Sequence, residues 1–118
     1  MKQPSRKELS GKLARARQRV ASSSIEVVDQ ESLVADLLDL GYLVEDLPSI
    51  LRALLDEVRE QDYSGGNPPQ RSYKEVIRDS ELFAFTWWSK RLGCRAYLKF
   101  ALKGNTLWLV SLHEARKP

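Results

Sequence analysis

Cys94-Arg95-Ala96-Tyr97-Leu98-Lys99-Phe100-Ala101-Leu102-Lys103-Gly104-Asn105-Thr106-Leu107-Trp108-Leu109-Val110-Ser111-Leu112-His113-Glu114 is the stretch on which the fold turns. Before the glycine, Cys94, Ala96, Leu98, Phe100 and Leu102 alternate with Arg95, Tyr97, Lys99, Ala101 and Lys103. Successive side chains of a strand point to opposite faces, so one face is apolar and the other basic and aromatic. Gly104-Asn105 is a turn signal, and Thr106 to Glu114 returns as a second strand. The pattern predicts strands over 94–103 and 106–114, joined as an antiparallel hairpin.

Two registers are open. A two-residue loop of Gly104 and Asn105 pairs Lys103 with Thr106, which sets His113 opposite Ala96 on the face of Leu98 and Phe100. A three-residue loop, Gly104 to Thr106, pairs Lys103 with Leu107, Lys99 with Ser111 and Tyr97 with His113. The second is favoured because it keeps Ser111 and His113 away from apolar neighbours that offer them no partners. It gathers Arg95, Tyr97, Lys99, Ser111 and His113 on one face.

Upstream, residues 81–88 are almost continuously apolar and aromatic, which predicts a strand covered on both faces. Tyr63-Ser64-Gly65-Gly66-Asn67-Pro68-Pro69-Gln70 reads as a surface loop, and residues 72–79 allow one helical turn. Before the loop the period becomes helical. Ser5 and Glu8 have capping-box spacing ahead of Leu9, Leu13, Ala16 and Val20, predicting a helix over 6–21. Its other face carries Lys7, Lys12, Arg15, Arg17 and Arg19, either a solvated surface or one for phosphates or an acidic partner. Ile25 to Val28 reads as an isolated strand, and Asp29 caps a helix over 30–40 that stops at Gly41. The stripe Leu47, Ile50, Leu51, Leu54, Leu55 and Val58 predicts a third helix over 46–60, with Pro48 in its first turn. The expected class is α+β, N-terminal helices packed on a C-terminal antiparallel sheet, in one domain spanning 1–118.

Composition narrows the chemistry. With 118 residues the chain has room for one core. One cysteine and one histidine exclude a disulfide framework and an all-protein zinc or iron set, so the expectation is no metal and no cofactor, in a reducing cytoplasm. No apolar run approaches the roughly 20 residues of a membrane span. The net charge of +3 is segregated: residues 1–28 hold 7 basic and 2 acidic side chains, 29–62 hold 2 and 10, and 63–118 hold 10 and 4. Such segregation can steer a polyanion to one face. No phosphate-cradling glycine loop, dinucleotide fingerprint or nucleophile elbow is present, which argues against NTP hydrolysis, hydride transfer and triad hydrolysis.

What remains is cations, a phenol and an imidazole, a set suited to cleavage of RNA by its own 2′-hydroxyl. Histidine titrates near neutrality, so His113 is the candidate general acid for the departing 5′-oxygen. Lys99 and Arg95 are candidates to neutralise the phosphorane, and Tyr97 to position the phosphate or stack on a base. No strong general base for the 2′-hydroxyl is evident. Trp87 and Trp88 beside Lys90 and Arg91 have the composition of a single-strand binding surface, although two aromatics in a covered strand belong more naturally to a core.

The succession Asp62-Tyr63-Ser64-Gly65, Glu81-Leu82-Phe83-Ala84-Phe85, Tyr97-Leu98-Lys99-Phe100 and Ser111-Leu112-His113-Glu114 resembles the MqsR family of bacterial type II toxins, from about Leu33 to Glu114. The resemblance implies a RelE-like fold and a metal-independent endoribonuclease that cuts mRNA, with a cognate antitoxin as partner, while the sequence leaves open whether the ribosome is a second one. Carried over by position, the family's strand tyrosine falls on Tyr97 and the residue near the end of its last strand on His113. Lys99 completes the catalytic set, with Arg95, Lys90, Arg91, Tyr63 and Lys103 expected to bind RNA. The chain departs from the family at Ser64, where the best-known members carry a lysine, and near Ala84, where they carry a glutamine. The competing readings are a noncatalytic RNA- or ribosome-binding module and a protein that uses the same basic face for an interface.

Overall fold

The computed structural model describes residues 5–66 and 68–115, so the ends of the expected 1–118 domain and Asn67 of the loop lie outside the described residues. Helix α1, Arg6–Ala21, starts at a reciprocal cap: Ser5 Oγ accepts from the Glu8 N–H at 3.1 Å, and the Glu8 carboxylate accepts from the Ser5 N–H at 3.4 Å. Its stripe of Leu9, Leu13, Ala16 and Val20 is buried. Two cations of the opposite face are structural. Arg17 Nε donates to the Leu55 carbonyl at 2.8 Å, and Arg19 donates to the Gly104 carbonyl at 3.0 Å.

Helix α2, Gln30–Asp39, follows the short strand β1, Ile25–Val27. Asp29 caps α2 by accepting from the Ser32 N–H, and Gly41 ends it with φ 90°, a conformation that costs glycine little. The third helix, α3, is shorter than expected. It runs Leu47–Glu57 between 3₁₀ turns at Val44–Asp46 and Glu60–Asp62, and Val58 leaves the helix in an extended conformation while staying buried.

Strands β2 (Phe83–Ser89), β3 (Cys94–Lys103) and β4 (Thr106–Glu114) form a meander, and β1 pairs parallel to β4, with Ile25 opposite Leu107. The sheet order is β1-β4-β3-β2. The α+β expectation therefore holds, with two corrections: the sheet is mixed rather than antiparallel throughout, and Ile25–Val27 is not isolated. All three helices pack on one sheet face, over Phe83, Phe85, Trp87, Leu98, Phe100, Leu109 and Leu112. A smaller cluster of Ile77, Leu82 and Ala101 covers part of the opposite face, beside Val28, Trp108 and Val110. That cover stops short of the Arg95 end of β3, where the face lies open.

The hairpin register differs from both expectations and reconciles them. The turn is the two-residue one: Lys103 is opposite Thr106, and Gly104 takes φ 61° at the first central position, where a type II′ turn accepts glycine. Pairing continues to Phe100 opposite Leu109; then Lys99 is opposite Ser111, leaving Val110 as an extra residue in β4. This bulge shifts the remaining pairs by one, so Leu98 faces Leu112 and Tyr97 faces His113. The loop has two residues rather than the favoured three, and the expected Tyr97–His113 pair is present.

Candidate functional site

The bulge decides which side chains of β4 face out. Leu107 and Leu109 point to the helices; past Val110 the alternation restarts, so Leu112 is buried while Ser111 and His113 join Tyr97 and Lys99 on the open face. These four, with Arg95 and Thr86, line a shallow concavity of about 740 Å³. Thr86 is there because it is the β2 partner of Tyr97, so Thr86, Tyr97 and His113 form one row across three strands.

His113 and Tyr97 stack, their ring centroids 5.1 Å apart and their planes 25° from parallel. His113 Nδ1 lies 2.8 Å from the Glu114 carbonyl oxygen. A carbonyl can only accept, so this contact assigns the proton to Nδ1 and leaves Nε2 as the nitrogen that exchanges protons with a ligand. Burial pushes the Tyr97 phenol above its ordinary value, which keeps it a hydrogen-bond donor. Lys99 is half-buried and Arg95 exposed, and among the described residues the single ion pair is Arg78 with Glu75, so neither site cation is neutralised by a described carboxylate. The second wall of His113 is different: Asp36 of α2 shares an adjoining hollow with His113, Ser111 and Lys74.

The other expected RNA-binding residues lie elsewhere. Tyr63 turns its edge onto Phe85 at 5.7 Å and donates its hydroxyl to the Gly66 carbonyl, which makes it part of the packing between loop and core. Lys103 is at the far end of the hairpin, where Nζ donates to the Val76 carbonyl at 2.7 Å. Arg91 sets its guanidinium over the Tyr42 ring, 5.9 Å from the centroid, and its peptide N–H donates to Glu57. Lys90 is exposed in the β2–β3 turn and does not line the concavity.

Some placements depend on contacts that the residues alone do not specify. Ser64 reaches the concavity because its N–H donates to the Ala84 carbonyl, laying residues 63 and 64 alongside β2, and its hydroxyl meets the Thr86 hydroxyl at 2.8 Å. Ala84 is buried opposite Lys99. The strand Phe83–Ser89 is not covered on both faces along its length: Trp87 is buried and donates its indole N–H to Glu57 at 3.0 Å, but Trp88 is 63% exposed. A usable signal for the bulge was the three-residue spacing of Leu109 and Leu112, which breaks the period of two between core-facing residues.

Among the described residues no helix is long and apolar enough to cross a membrane, and no three His, Cys, Asp or Glu side chains cluster so as to hold a metal ion. No protein-family model matches the chain, and no curated protein matches it either.

Proposed function

We propose that this chain is an endoribonuclease that cleaves mRNA by attack of the RNA's own 2′-hydroxyl, without a metal, acting in the cytoplasm as an MqsR-type toxin restrained by a cognate antitoxin. The observation that carries the reading is the row Tyr97–His113 flanked by Lys99 and Arg95 on an open face: acid, phenol and two cations within one concavity large enough for a nucleotide.

The chemistry divides among them. The Glu114 carbonyl holds the imidazole by Nδ1, so a protonated His113 presents Nε2–H to the 5′-oxygen as the P–O bond breaks. The leaving group takes that proton, and the 2′,3′-cyclic phosphate stays on the upstream fragment. Lys99 and Arg95 offset the negative charge that grows on the non-bridging oxygens. The Tyr97 phenol, kept neutral, donates to the same phosphate. The proton lost by the 2′-hydroxyl goes to water or to the Nε2 of a neutral His113, since among the described residues no carboxylate lines this concavity.

Single-stranded RNA incubated with purified protein in EDTA is expected to yield cyclic-phosphate or 3′-phosphate ends, with His113→Ala slower by at least about a hundredfold. RNA that is bound but left intact would make the face a binding module and end the catalytic reading.

A further inference from the structure

Trp88 occupies an unusual place. It is the β2 partner of Arg95, on the face that carries Thr86, Tyr97 and Lys99, and one row nearer the β2–β3 turn than the Thr86–Tyr97–His113 row. Its neighbour Trp87 spends its indole on the core and Glu57, yet Trp88 is 63% exposed. The cluster that covers the other end of this face, Ile77, Leu82 and Ala101, does not reach it. An indole left in solvent at the strand position opposite Arg95, about 7 Å along the sheet from the row that carries Tyr97, is a platform for a base whose phosphate the cations hold. Lys90 extends the positive charge past it. An acidic protein would use the same cations but has no need of a flat exposed ring at the strand position opposite Arg95.

Resting on the endoribonuclease reading above, we propose that Trp88 stacks on the base of the nucleotide immediately 5′ of the scissile phosphate. The polarity follows from the chemistry. His113 protonates the 5′-oxygen of the downstream nucleotide, so the downstream strand leaves past β4. The upstream nucleotide, which carries the attacking 2′-hydroxyl, then lies across Tyr97 toward β2. Because every base has a π face, this stacking selects for unpaired RNA rather than for one sequence.

The test uses the full chain and DNA strands carrying one ribonucleotide, so that a single 2′-hydroxyl fixes the cleaved bond. One strand is complete, one lacks the base at that ribonucleotide, and one lacks the base of the nucleotide 3′ to it. Trp88→Ala is expected to lower kcat/KM about tenfold or more on the complete strand, chiefly through KM, with Trp88→Phe largely restoring it. On the strand without the upstream base the wild type and Trp88→Ala should cleave alike, and on the strand without the downstream base the penalty should persist. An equal penalty on all three strands, or none on the complete one, overturns the stacking assignment while leaving the nuclease intact. Loss of the penalty only on the third strand overturns the polarity. A wild type that cleaves none of the strands, or RNA, overturns the nuclease reading and this assignment with it.

Discussion

Tyr97 and His113 stack across β3 and β4 at 5.1 Å because Val110 has no partner on β3. A regular ladder from the two-residue turn would put the imidazole opposite Ala96, facing the helices. The bulge reverses β4 after Leu109, so one unpaired residue converts a core position into a surface one.

Deletions separate the bulge from the residues it aims. Removing Val110 alone leaves Lys99 opposite Ser111 and Tyr97 opposite His113 in a regular ladder. This variant should keep RNA cleavage and lose about 1 kcal/mol of stability, from the partial cover Val110 provides. Removing both Val110 and Ser111 places Leu112 outward and His113 opposite Leu98. Losing a buried leucine and burying an unpartnered imidazole should cost ~3 kcal/mol or more. Urea midpoints of the two variants check the difference, and equal destabilisation would contradict the register.

Lys99 and Lys103 lie on the same strand face, but only Lys99 lines the concavity, while Lys103 Nζ is held by the Val76 carbonyl. Lys99→Ala should slow cleavage about a hundredfold, the loss expected for one stabiliser of transition-state charge. Lys103→Ala should stay within about threefold, under ~0.7 kcal/mol of barrier. Single-turnover rates on a defined RNA measure both, and comparable losses would place the substrate along the whole hairpin.

Several of these features were readable in the residues and others were not, for physical reasons. The caps at Ser5 and Asp29, the leucine stripe of α3 and the two-faced strand β3 depend on neighbours close in sequence, so period and capping chemistry located them. Pairing of Ile25–Val27 with β4 joins segments some eighty residues apart, and nothing within a run of three apolar residues and a glutamate specifies a partner. Trp87 and Trp88 were inseparable in a continuous apolar run, because what exposes one of them is how far Ile77 and Leu82 extend over the sheet. The Tyr97–His113 pair forms with a two-residue loop because the unbroken alternation on which both expected registers rest ends between Leu109 and Leu112.

The Tyr97 ring and its hydroxyl have separable roles. Tyr97→Phe keeps the ring against His113, so the urea midpoint should hardly move, while cleavage should fall about tenfold, near 1.4 kcal/mol, for the hydrogen bond lost to the phosphate. Burial holds the phenol above its ordinary value, so no ionisation of Tyr97 should bend the rate profile below about pH 10. An unchanged rate in Tyr97→Phe would reduce the residue to a packing partner.

Glu57, at the end of α3, makes the acid sensitivity of the fold a local question. Burial by itself raises its carboxyl, but hydrogen bonds from Ser89 Oγ at 2.7 Å, Trp87 Nε1 at 3.0 Å and the Arg91 N–H at 2.8 Å outweigh that and leave it below its ordinary value. The folded state thus binds its proton less readily than the unfolded chain. The resulting stabilisation is present above the ordinary glutamate value, about 4.3, and is lost as pH falls through the lower folded value. Glu57→Ala should destabilise by about 2 to 3 kcal/mol at pH 7, since it strands the Trp87 and Ser89 donors. The gap between wild type and variant should narrow as pH falls below about 4, because the protonated carboxyl accepts those bonds more weakly. Urea unfolding at a series of pH values measures it. A gap that stays constant into acid would mean that Glu57 acts through packing rather than charge, and that the β2–β3 turn is held in place without it.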